Sequence, residues 1–184
     1  LRDIALIPQG AMSSLNPVMK LDEQMIDAIV AHKPGMSRAA LDARVAELLR
    51  SVGLDPSVAK RYPHELSGGM KQRAAMAIAT SLAPKVIVAD EPTSALDVVV
   101  QRQVMQTLGR LQDGLGAAVV LIGHDMGLIA QFADTVGVMY AGKLVEIGPV
   151  RQMIESPKHP YTRLLVDSLP GIEVKRELTG IPGL

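Results

Sequence analysis

Cysteine and tryptophan are absent from the 184 residues of this sequence, and the other aromatic residues are scarce, with one Phe and three Tyr. The absence of cysteine excludes a disulfide scaffold and any thiolate metal site. The shortage of aromatic rings argues against a platform on which single-stranded bases would stack.

Neither sign of charge is in excess, since 19 basic residues balance 19 acidic ones. Such a chain has no bulk attraction for nucleic acid or for an anionic membrane. Its apolar runs, such as residues 117–123, are far shorter than the roughly 20 residues of a bilayer span. With 48% hydrophobic and 21% charged residues, we expect a globular protein that is soluble or peripheral to a membrane.

The two ends of the sequence have the character of internal chain. It opens on Leu1 without an initiator Met and without the pattern of a signal peptide, and it closes in a loop-like stretch over residues 180–184. The length suits about one domain or slightly more. We therefore expect a piece of a longer protein.

The first half of the chain has the spacing of one short strand followed by a block of helices. Pro8 ends the strand, Ser37 is placed to cap the second helix and Gly53 to end it. The apolar stripe of that helix is Leu41, Val45, Leu48, Leu49 and Val52. The predicted elements are a strand over residues 2–7, a loop over 9–17, and helices over 18–32, 38–52 and 69–82.

Beyond Pro84 the pattern changes to short apolar runs that alternate with helical segments. Residues 86–89 form a continuous apolar run, which predicts a strand buried on both faces of a parallel sheet. The alternation predicts an α/β layered fold with right-handed crossovers. The remaining predicted elements are a helix over 98–111 with its cap and first turn at 94–97, a strand over 117–122, a helix over 126–132, and hairpin strands over 135–140 and 144–147.

Four polar residues, Gln9, Asp90, Glu91 and His124, come just after predicted strands. Ligands of such sheets bind beyond the carboxyl ends of the strands, so one crevice can collect all four side chains. An Asp in this position can hold Mg²⁺ beside phosphates, and a neighbouring Glu can polarise a water molecule. Taken alone, each is also an ordinary polar strand end.

The segment over residues 66–73, Leu-Ser-Gly-Gly-Met-Lys-Gln-Arg, is more specific. Ser67 places a hydroxyl at a helix N-terminus, where backbone N–H groups and the helix dipole favour anions. Gly68 and Gly69 let the backbone approach a phosphate without obstruction by a Cβ atom. Ser-Gly-Gly alone would indicate an ordinary helix cap, whereas the full octapeptide points to phosphate recognition.

The order of these pieces resembles that of the ATP-binding cassette (ABC) ATPases. Gln9, residues 66–73, 86–91 and 94–97, and His124 are similar to the family's Q-loop, signature motif, Walker B strand, D-loop and switch His. The resemblance covers essentially the whole chain and implies a P-loop NTPase-like (RecA-like) α/β fold with an inserted α-helical subdomain. It divides the chain into a partial ATPase core (1–9 and 84–148), a helical signature subdomain (10–83) and a C-terminal extension (149–184).

Finer features resemble the oligopeptide, dipeptide and nickel importer branch of that family. They are residues 14–17 after the Q-loop, 61–65 before the signature, Met70 in place of the usual Gln, and the tail over 156–165. The resemblance therefore implies a subunit that hydrolyses ATP to power import of peptides or nickel. The cargo itself stays open, because the permease and binding protein select it.

Two departures from the family pattern stand out. No G-x-x-x-x-G-K-[ST] phosphate loop is present in the 184 residues, and the family carries that loop, an adenine-stacking residue and a small β-subdomain before the Q-loop. We therefore expect the N-terminal part of the fold to be missing and this chain alone to be inactive. The Q-loop also lacks the Asp-Pro that the branch more often has after Gln9, which leaves the local loop geometry open.

The resemblance implies ATP and Mg²⁺ as cofactors and a role for each matching residue. Asp90 would lie in the Mg²⁺ sphere, with Gln9 as a further ligand. Glu91 would activate the attacking water and His124 would contact the γ-phosphate region, so both would be catalytic. The nucleotide-binding residues would be Gln9, Ser67, Gly68, Gly69 and Asp97.

The implied partners follow from the same resemblance. A second ABC ATPase subunit would pair head to tail as a homodimer or heterodimer, with Ser67 serving the partner's ATP and Asp97 at the dimer interface. The helical block would grip transmembrane permease subunits, and an extracytoplasmic substrate-binding protein would act indirectly. The protein would lie peripherally at the cytoplasmic face of the cell (inner) membrane, with no nucleic acid partner beyond ATP itself.

Two alternatives compete with this interpretation. A DNA-repair or chromosome-structure ABC ATPase would flank its signature with long heptad coiled coils, and this sequence has none. A non-catalytic partner subunit typically loses the Glu after Walker B or the switch His, and this sequence has both Glu91 and His124.

Overall fold

The computed structural model describes residues 3–169 and divides into two compact units. The first unit ends at Ile122 and the second begins at Gly123. The division into core, helical subdomain and extension stays a prediction. Of the predicted first strand, Arg2 lies outside the described residues, as do residues 170–184 of the predicted extension.

A parallel sheet of three strands forms the centre of the first unit. Its strands are β1 (Ile4–Ile7), β2 (Val86–Asp90) and β3 (Ala118–Ile122), in the order β1-β2-β3. Both pairs are parallel. This sheet and its helices confirm the predicted α/β class, and the shared direction brings the carboxyl ends of the three strands to one edge.

One face of this sheet is buried and the other is largely exposed. Ile7 and Ile87 on the first face are completely buried, whereas Leu6 on the second face is 59% exposed and Ile122 47%. The prediction that β2 is buried on both faces is therefore wrong, since its side chains alternate between buried and half-buried. Successive side chains point to opposite faces, and within residues 3–169 the second face is half-buried at β2 and exposed at Leu6 and Ile122.

Four helices complete the first unit, and two of their predicted limits are confirmed. Ser37 caps α2, where its Oγ accepts a hydrogen bond from Ala40 N at 3.3 Å, and Gly53 follows the helix at a φ of +71°. Glycine adopts this left-handed conformation without strain. The helices are α1 (Leu21–Val30), α2 (Arg38–Ser51), α3 (Gly68–Ala79) and α4 (Val98–Leu115).

The core of the first unit is built from the apolar stripes of these helices. The predicted stripe of α2 is buried in full and meets the buried side chains of α1. Each completely buried aliphatic side chain contributes about 1.5–3 kcal/mol. The buried side chains of α1 and α2 in this cluster are Leu21, Met25, Ile29, Leu41, Val45, Leu48 and Leu49.

A buried carboxylate ties α1 to its neighbours. Asp22 is only 5% exposed, and its Oδ2 accepts hydrogen bonds from Lys60 Nζ at 2.6 Å and from Arg38 Nη2 at 3.4 Å. Its other oxygen, Oδ1, is buried without a hydrogen-bond partner. Since Lys60 ends the 3-10 turn Pro56–Lys60, this ion pair joins α1 to the segment that leads to the signature.

The second unit is an antiparallel hairpin packed against short helices. A turn at Ala141 and Gly142, both with positive φ, joins its two strands. Val136, Val138 and Met153 form its core. Its elements are α5 (Met126–Phe132), β4 (Thr135–Tyr140), β5 (Lys143–Pro149), α6 (Val150–Glu155) and α7 (Pro160–Asp167).

The entry of α7 is held by Glu146 of β5. Its carboxylate accepts hydrogen bonds from the backbone N–H of Lys158 at 2.8 Å and of His159 at 2.9 Å. The nearby Thr162 hydroxyl, buried but outside hydrogen-bond geometry, is the main cause that lowers the pKa of Glu146, followed by these two N–H groups. His159 Nδ1 in turn accepts from Tyr161 N at 3.1 Å, so His159 caps α7 and Pro160 begins the helix.

No helix within residues 3–169 is long and apolar enough to cross a membrane.

Candidate functional site

Gln9 and Glu91 meet at the edge of the sheet where β1 and β2 end. Gln9 Nε2 donates a hydrogen bond of 2.8 Å to Glu91 Oε2. The backbone N–H of Glu91 donates to the carbonyl of Ile122 at 2.9 Å, which joins the same point to the end of β3. Glu91 has a φ of +42°, a left-handed conformation that is strained for a residue with a Cβ atom. Strain of this kind clusters at functional sites.

Asp90 is the last residue of β2, opposite Ile122 of β3, and directly precedes Glu91 in sequence. Its half-buried carboxylate is a hard oxygen donor, and so is the amide oxygen of Gln9. No group of three or more His, Cys, Asp or Glu residues capable of holding a metal is found among residues 3–169. This donor set suits Mg²⁺, which proteins often hold through one or two carboxylates while water and substrate phosphates complete the sphere.

The signature turn, residues 67–69, forms the N-terminus of α3. Ser67 is the N-cap, and its Oγ accepts a hydrogen bond from Met70 N at 3.3 Å. The hydroxyl can still donate its own hydrogen, because this bond uses only an acceptor position. Gly68 and Gly69 begin the helix, where backbone N–H groups lack intrahelical partners and attract anions.

Arg73 holds this turn in place, a role that the sequence interpretation did not assign. Its Nε donates to the carbonyl of Gly69 at 3.2 Å, and its Nη1 donates to the carbonyl of Gly53 at 3.1 Å. Burial lowers the pKa of Arg73, and the charge of Arg110 lowers it further. The octapeptide contained Arg73, but only the fold shows that its partners are the signature turn and the end of α2.

Asp97 caps α4, where its Oδ1 accepts a hydrogen bond from Val100 N at 3.0 Å. The prediction that residues 94–97 form the cap and first turn of this helix is therefore confirmed only for the cap, since the helix itself begins at Val98. Ala95 has a φ of +61°, which interrupts a right-handed helix before Val98. Ser94 instead donates its backbone N–H to the carbonyl of Glu91 at 3.0 Å, so the segment over 94–97, named here the Asp97 turn, is tied to the Gln9–Glu91 pair.

The signature turn and the first turn of α4 are in direct contact. Gly69 is buried, and a Cβ atom placed on it would lie 2.6 Å from Cγ1 of Val100. Real Cβ atoms essentially never approach a carbon so closely, so glycine is required at position 69 by its neighbour within the same chain. The sequence carries no signal for this contact, because Gly69 and Val100 lie on different helices.

His124 belongs to the second unit, two residues after the end of β3. Its side chain is exposed, and the adjacent Asp125 caps α5, where its Oδ1 accepts from Leu128 N at 2.9 Å. Of the predicted site residues, the structure therefore brings Gln9, Asp90 and Glu91 to one edge of the sheet. The signature turn contacts Val100, whose backbone N–H donates to Asp97.

A cavity of about 370 Å³ opens in the first unit beside the loop that follows Gln9. Side chains of that loop, of α1 and of α3 line it, and its wall is part apolar and part polar. The lining includes Pro8, Leu15, Asn16, Asp27 and Ile78.

Two family models match parts of the chain. The model described as "ABC transporter" matches residues 1–94, and the model described as "Oligopeptide/dipeptide transporter, C-terminal region" matches residues 145–184.

Curated relatives match almost the whole chain. The dipeptide transport ATP-binding protein DppD of Lactococcus lactis subsp. cremoris (strain MG1363) is 42% identical, over 98% of this chain and 53% of its own length. The oligopeptide transport ATP-binding protein OppD of Bacillus subtilis (strain 168) is 43% identical, over 99% of this chain and 52% of its own length. The chain thus spans about half the length of the curated relatives it matches.

A solved structure is similar in fold. It is the dimeric post-hydrolysis state of the ATP-binding cassette MJ0796 bound to ADP and Pi. It superposes with a TM-score of 0.69 at 30% sequence identity, covering 82% of this chain and 64% of that one.

Proposed function

The chain belongs to the ABC transporter family, and we propose that it is part of the ATP-hydrolysing subunit of an importer for dipeptides or oligopeptides. The observation that carries the proposal is the Gln9–Glu91 hydrogen bond of 2.8 Å at the carboxyl edge of the parallel sheet, next to Asp90. It joins two residues far apart in sequence at the point where such sheets bind their ligands.

Glu91 is the proposed catalytic carboxylate. It would accept a hydrogen bond from the attacking water and orient it toward the γ-phosphate, a role that contributes about 10²–10⁴-fold to the rate. Gln9 holds one carboxylate oxygen, and the Glu91 backbone is held by Ile122. Phosphoryl transfer depends mainly on positioning and on charge compensation, and a glutamate held through its carboxylate by Gln9 and through its backbone by Ile122 serves the first requirement.

Asp90, with the amide oxygen of Gln9, is the proposed holder of Mg²⁺ beside the phosphates. When bound, the ion would neutralise negative charge on the transferring phosphoryl group. Asp90 ends β2 and directly precedes Glu91, so its carboxylate is presented at the same edge of the sheet. His124 is the proposed contact for the γ-phosphate region.

Ser67, Gly68, Gly69 and Asp97 are the proposed contacts to a nucleotide shared with a second ATPase subunit that pairs head to tail. The Ser67 hydroxyl and the N–H groups at the start of α3 suit the oxygens of a phosphate. The pairing is supported by the solved relative, which is dimeric.

The helical block over residues 10–83 is the proposed contact with transmembrane permease subunits, which would place the protein at the cytoplasmic face of the cell membrane. The cavity beside the Gln9 loop offers a seat for a permease segment close to the catalytic edge. An extracytoplasmic binding protein would act through the permease. Peptide cargo is supported by the curated relatives and by the C-terminal model over residues 145–184.

The test is ATP hydrolysis by a full-length subunit that contains these 184 residues, assembled with its permease and assayed for phosphate release and for uptake of labelled dipeptides. We expect hydrolysis to depend on Mg²⁺ and uptake to depend on hydrolysis. Hydrolysis that drives uptake of nickel and of no peptide would show that the cargo is nickel rather than a peptide. Absence of hydrolysis would overturn the proposal.

A further inference from the structure

The contact between Gly69 and Val100 links the signature turn to the start of α4, which follows the Asp97 turn. Both turns are proposed to contact the same partner subunit. Val100 Cγ1 would lie 2.6 Å from a Cβ atom on Gly69, whereas Val100 Cβ and Cγ2 would lie 3.9 and 4.0 Å away. A single methyl group therefore fills the space that any side chain at position 69 would need.

Val100 is held firmly on its own side of this contact. Its backbone N–H donates to Oδ1 of Asp97 at 3.0 Å, so the cap of α4 also fixes the backbone of Val100. A β-branched side chain in a helix has one strongly preferred χ1 rotamer, and the methyl group cannot swing away without strain.

Gly69 is equally constrained on the other side. It is buried, and its carbonyl accepts a hydrogen bond from Arg73 Nε at 3.2 Å, while Arg73 also holds the carbonyl of Gly53. The signature turn is thus clamped between Arg73 and Val100, and Val100 is tied in turn to Asp97.

We propose that Val100 is a positioning residue that locks the signature turn to the Asp97 turn, so that both segments engage the partner subunit together. This inference rests on the proposed function, because it assigns the link a role in ATP-dependent closure of the dimer. It also explains why position 69 is a glycine: the Val100 methyl group leaves no space for a side chain there. This steric cause acts in addition to any approach of a phosphate.

A double-mutant cycle in the full-length subunit tests the link, with Gly69→Ala, Val100→Ala and the pair compared with the wild type. We expect Gly69→Ala to lower kcat by about tenfold or more, since contacting residues are strongly coupled. Val100→Ala removes Cγ1 and leaves the Cβ atom of residue 100 at 3.9 Å, an ordinary contact. Adding Gly69→Ala to Val100→Ala should therefore lower kcat by a much smaller factor than Gly69→Ala lowers it in the wild type.

The positioning role predicts a split between the kinetic constants. Val100→Ala should lower kcat and weaken ATP-dependent dimer formation, measured by size-exclusion chromatography, while KM for ATP stays unchanged. Val100→Thr, which keeps the branched shape, should retain wild-type behaviour. Gly109→Ala in α4 is the matched control, because a Cβ atom there meets nothing within 4 Å.

The outcomes separate this inference from the proposed function. A wild-type subunit that does not hydrolyse ATP would overturn both. If the wild type is active but Gly69→Ala lowers kcat by the same factor in the wild type and in Val100→Ala, the two residues are uncoupled and the locking role of Val100 is refuted. If Gly69→Ala alone fails to fold, recovery of folding in the double variant shows the steric coupling, and failure of the double variant to fold would contradict it. A Val100→Ala subunit with wild-type kcat and dimer formation would also refute the locking role.

Discussion

Gln9 and Glu91 are 82 positions apart in sequence, yet the amide nitrogen of one donates to the carboxylate of the other at 2.8 Å. The strands that precede them pair in parallel, with Ile7 opposite Ala89, so both strands end at the same edge of the sheet. The bond is exposed, and a ligand that enters this edge therefore meets both side chains at once.

Glu91→Gln should nearly abolish ATP hydrolysis in a full-length subunit and still allow the ATP-bound dimer to form. The amide keeps an oxygen that can accept from Gln9 but loses the basicity needed to activate water, so we expect a loss of about 10²–10⁴-fold. A phosphate-release assay beside size-exclusion chromatography with ATP and Mg²⁺ measures both effects.

Asp90→Asn is the companion variant for that experiment. Weakening the proposed Mg²⁺ site removes charge compensation, so this change should impair the bound dimer itself as well as turnover. The roles assigned to the two acids would be wrong if Glu91→Gln kept near wild-type turnover, or if only Asp90→Asn held the dimer.

Ser67→Asn should abolish turnover while the isolated subunit binds ATP as before. Asparagine is as good an N-cap as serine, so α3 should keep its start, but the hydroxyl proposed to serve the partner's nucleotide is lost. Ser37→Asn is the matched control, because Ser37 caps α2 with the same 3.3 Å geometry. Reduced ATP affinity of the isolated Ser67→Asn subunit would argue for a phosphate contact within one chain.

The 184-residue chain alone should bind ATP weakly and not hydrolyse it. Its sequence contains no G-x-x-x-x-G-K-[ST] loop, the segment whose backbone and Lys cradle the phosphates in this family. Isothermal titration calorimetry with ATP and Mg²⁺ measures the affinity. Micromolar binding would mean that the described residues supply a phosphate cradle of their own.

Lys60→Ala should destabilise α1 by about 1–3 kcal/mol, because it leaves the buried Asp22 carboxylate without its partner at 2.6 Å. Asp22→Ala should have a smaller effect, since its partners Lys60 and Arg38 are 65% and 60% exposed and water can solvate them. Hydrogen exchange of the α1 amides reports the local free energy of opening. As a control, Arg151→Ala breaks an exposed pair with Glu155 and should change stability by less than about 1 kcal/mol. Equal effects of Lys60→Ala and Arg151→Ala would contradict the assignment of the Asp22–Lys60 pair as a structural anchor.

The attachment of α7 should depend on pH through Glu146. The folded protein lowers the pKa of this carboxyl from its ordinary value of 4.5, so the stabilisation is present above that value and is lost as pH falls through the lowered pKa. The amide signals of Lys158 and His159 should titrate in NMR spectra with a midpoint below 4.5. Glu146→Gln should remove the titration and Glu155→Gln should leave it, and a midpoint at or above 4.5 would contradict this account.

Much of the local structure could be predicted because its causes lie within a few residues. Ser37 begins α2 and Gly53 follows its end, as capping preferences require. The limits of α5 and β4 were also predicted correctly from the apolar pattern. Other limits moved by a few residues: α1 begins at Leu21 rather than at residue 18, since the end of a helix depends on which backbone groups find partners.

The start of α4 shows where local patterns become ambiguous. Ser94 and Asp97 are both good N-cap residues, and the sequence does not choose between them. The choice is made by the positive φ of Ala95 and by the bond from Ser94 N to the Glu91 carbonyl, which draw residues 94–97 into a separate turn. Contacts to the end of β2 therefore decide where the helix begins.

By itself, the sequence determined the family motifs, their order, and the residues offered for chemistry at each strand end and helix start. Only the tertiary structure decided that Gln9 is the residue holding Glu91, that Arg73 clamps the signature turn, and that Val100 requires glycine at position 69. The physical reason is distance along the chain. Periodicity and capping act within a few residues, whereas these contacts join separate strands and helices and exist only once the sheet register and helix packing are set.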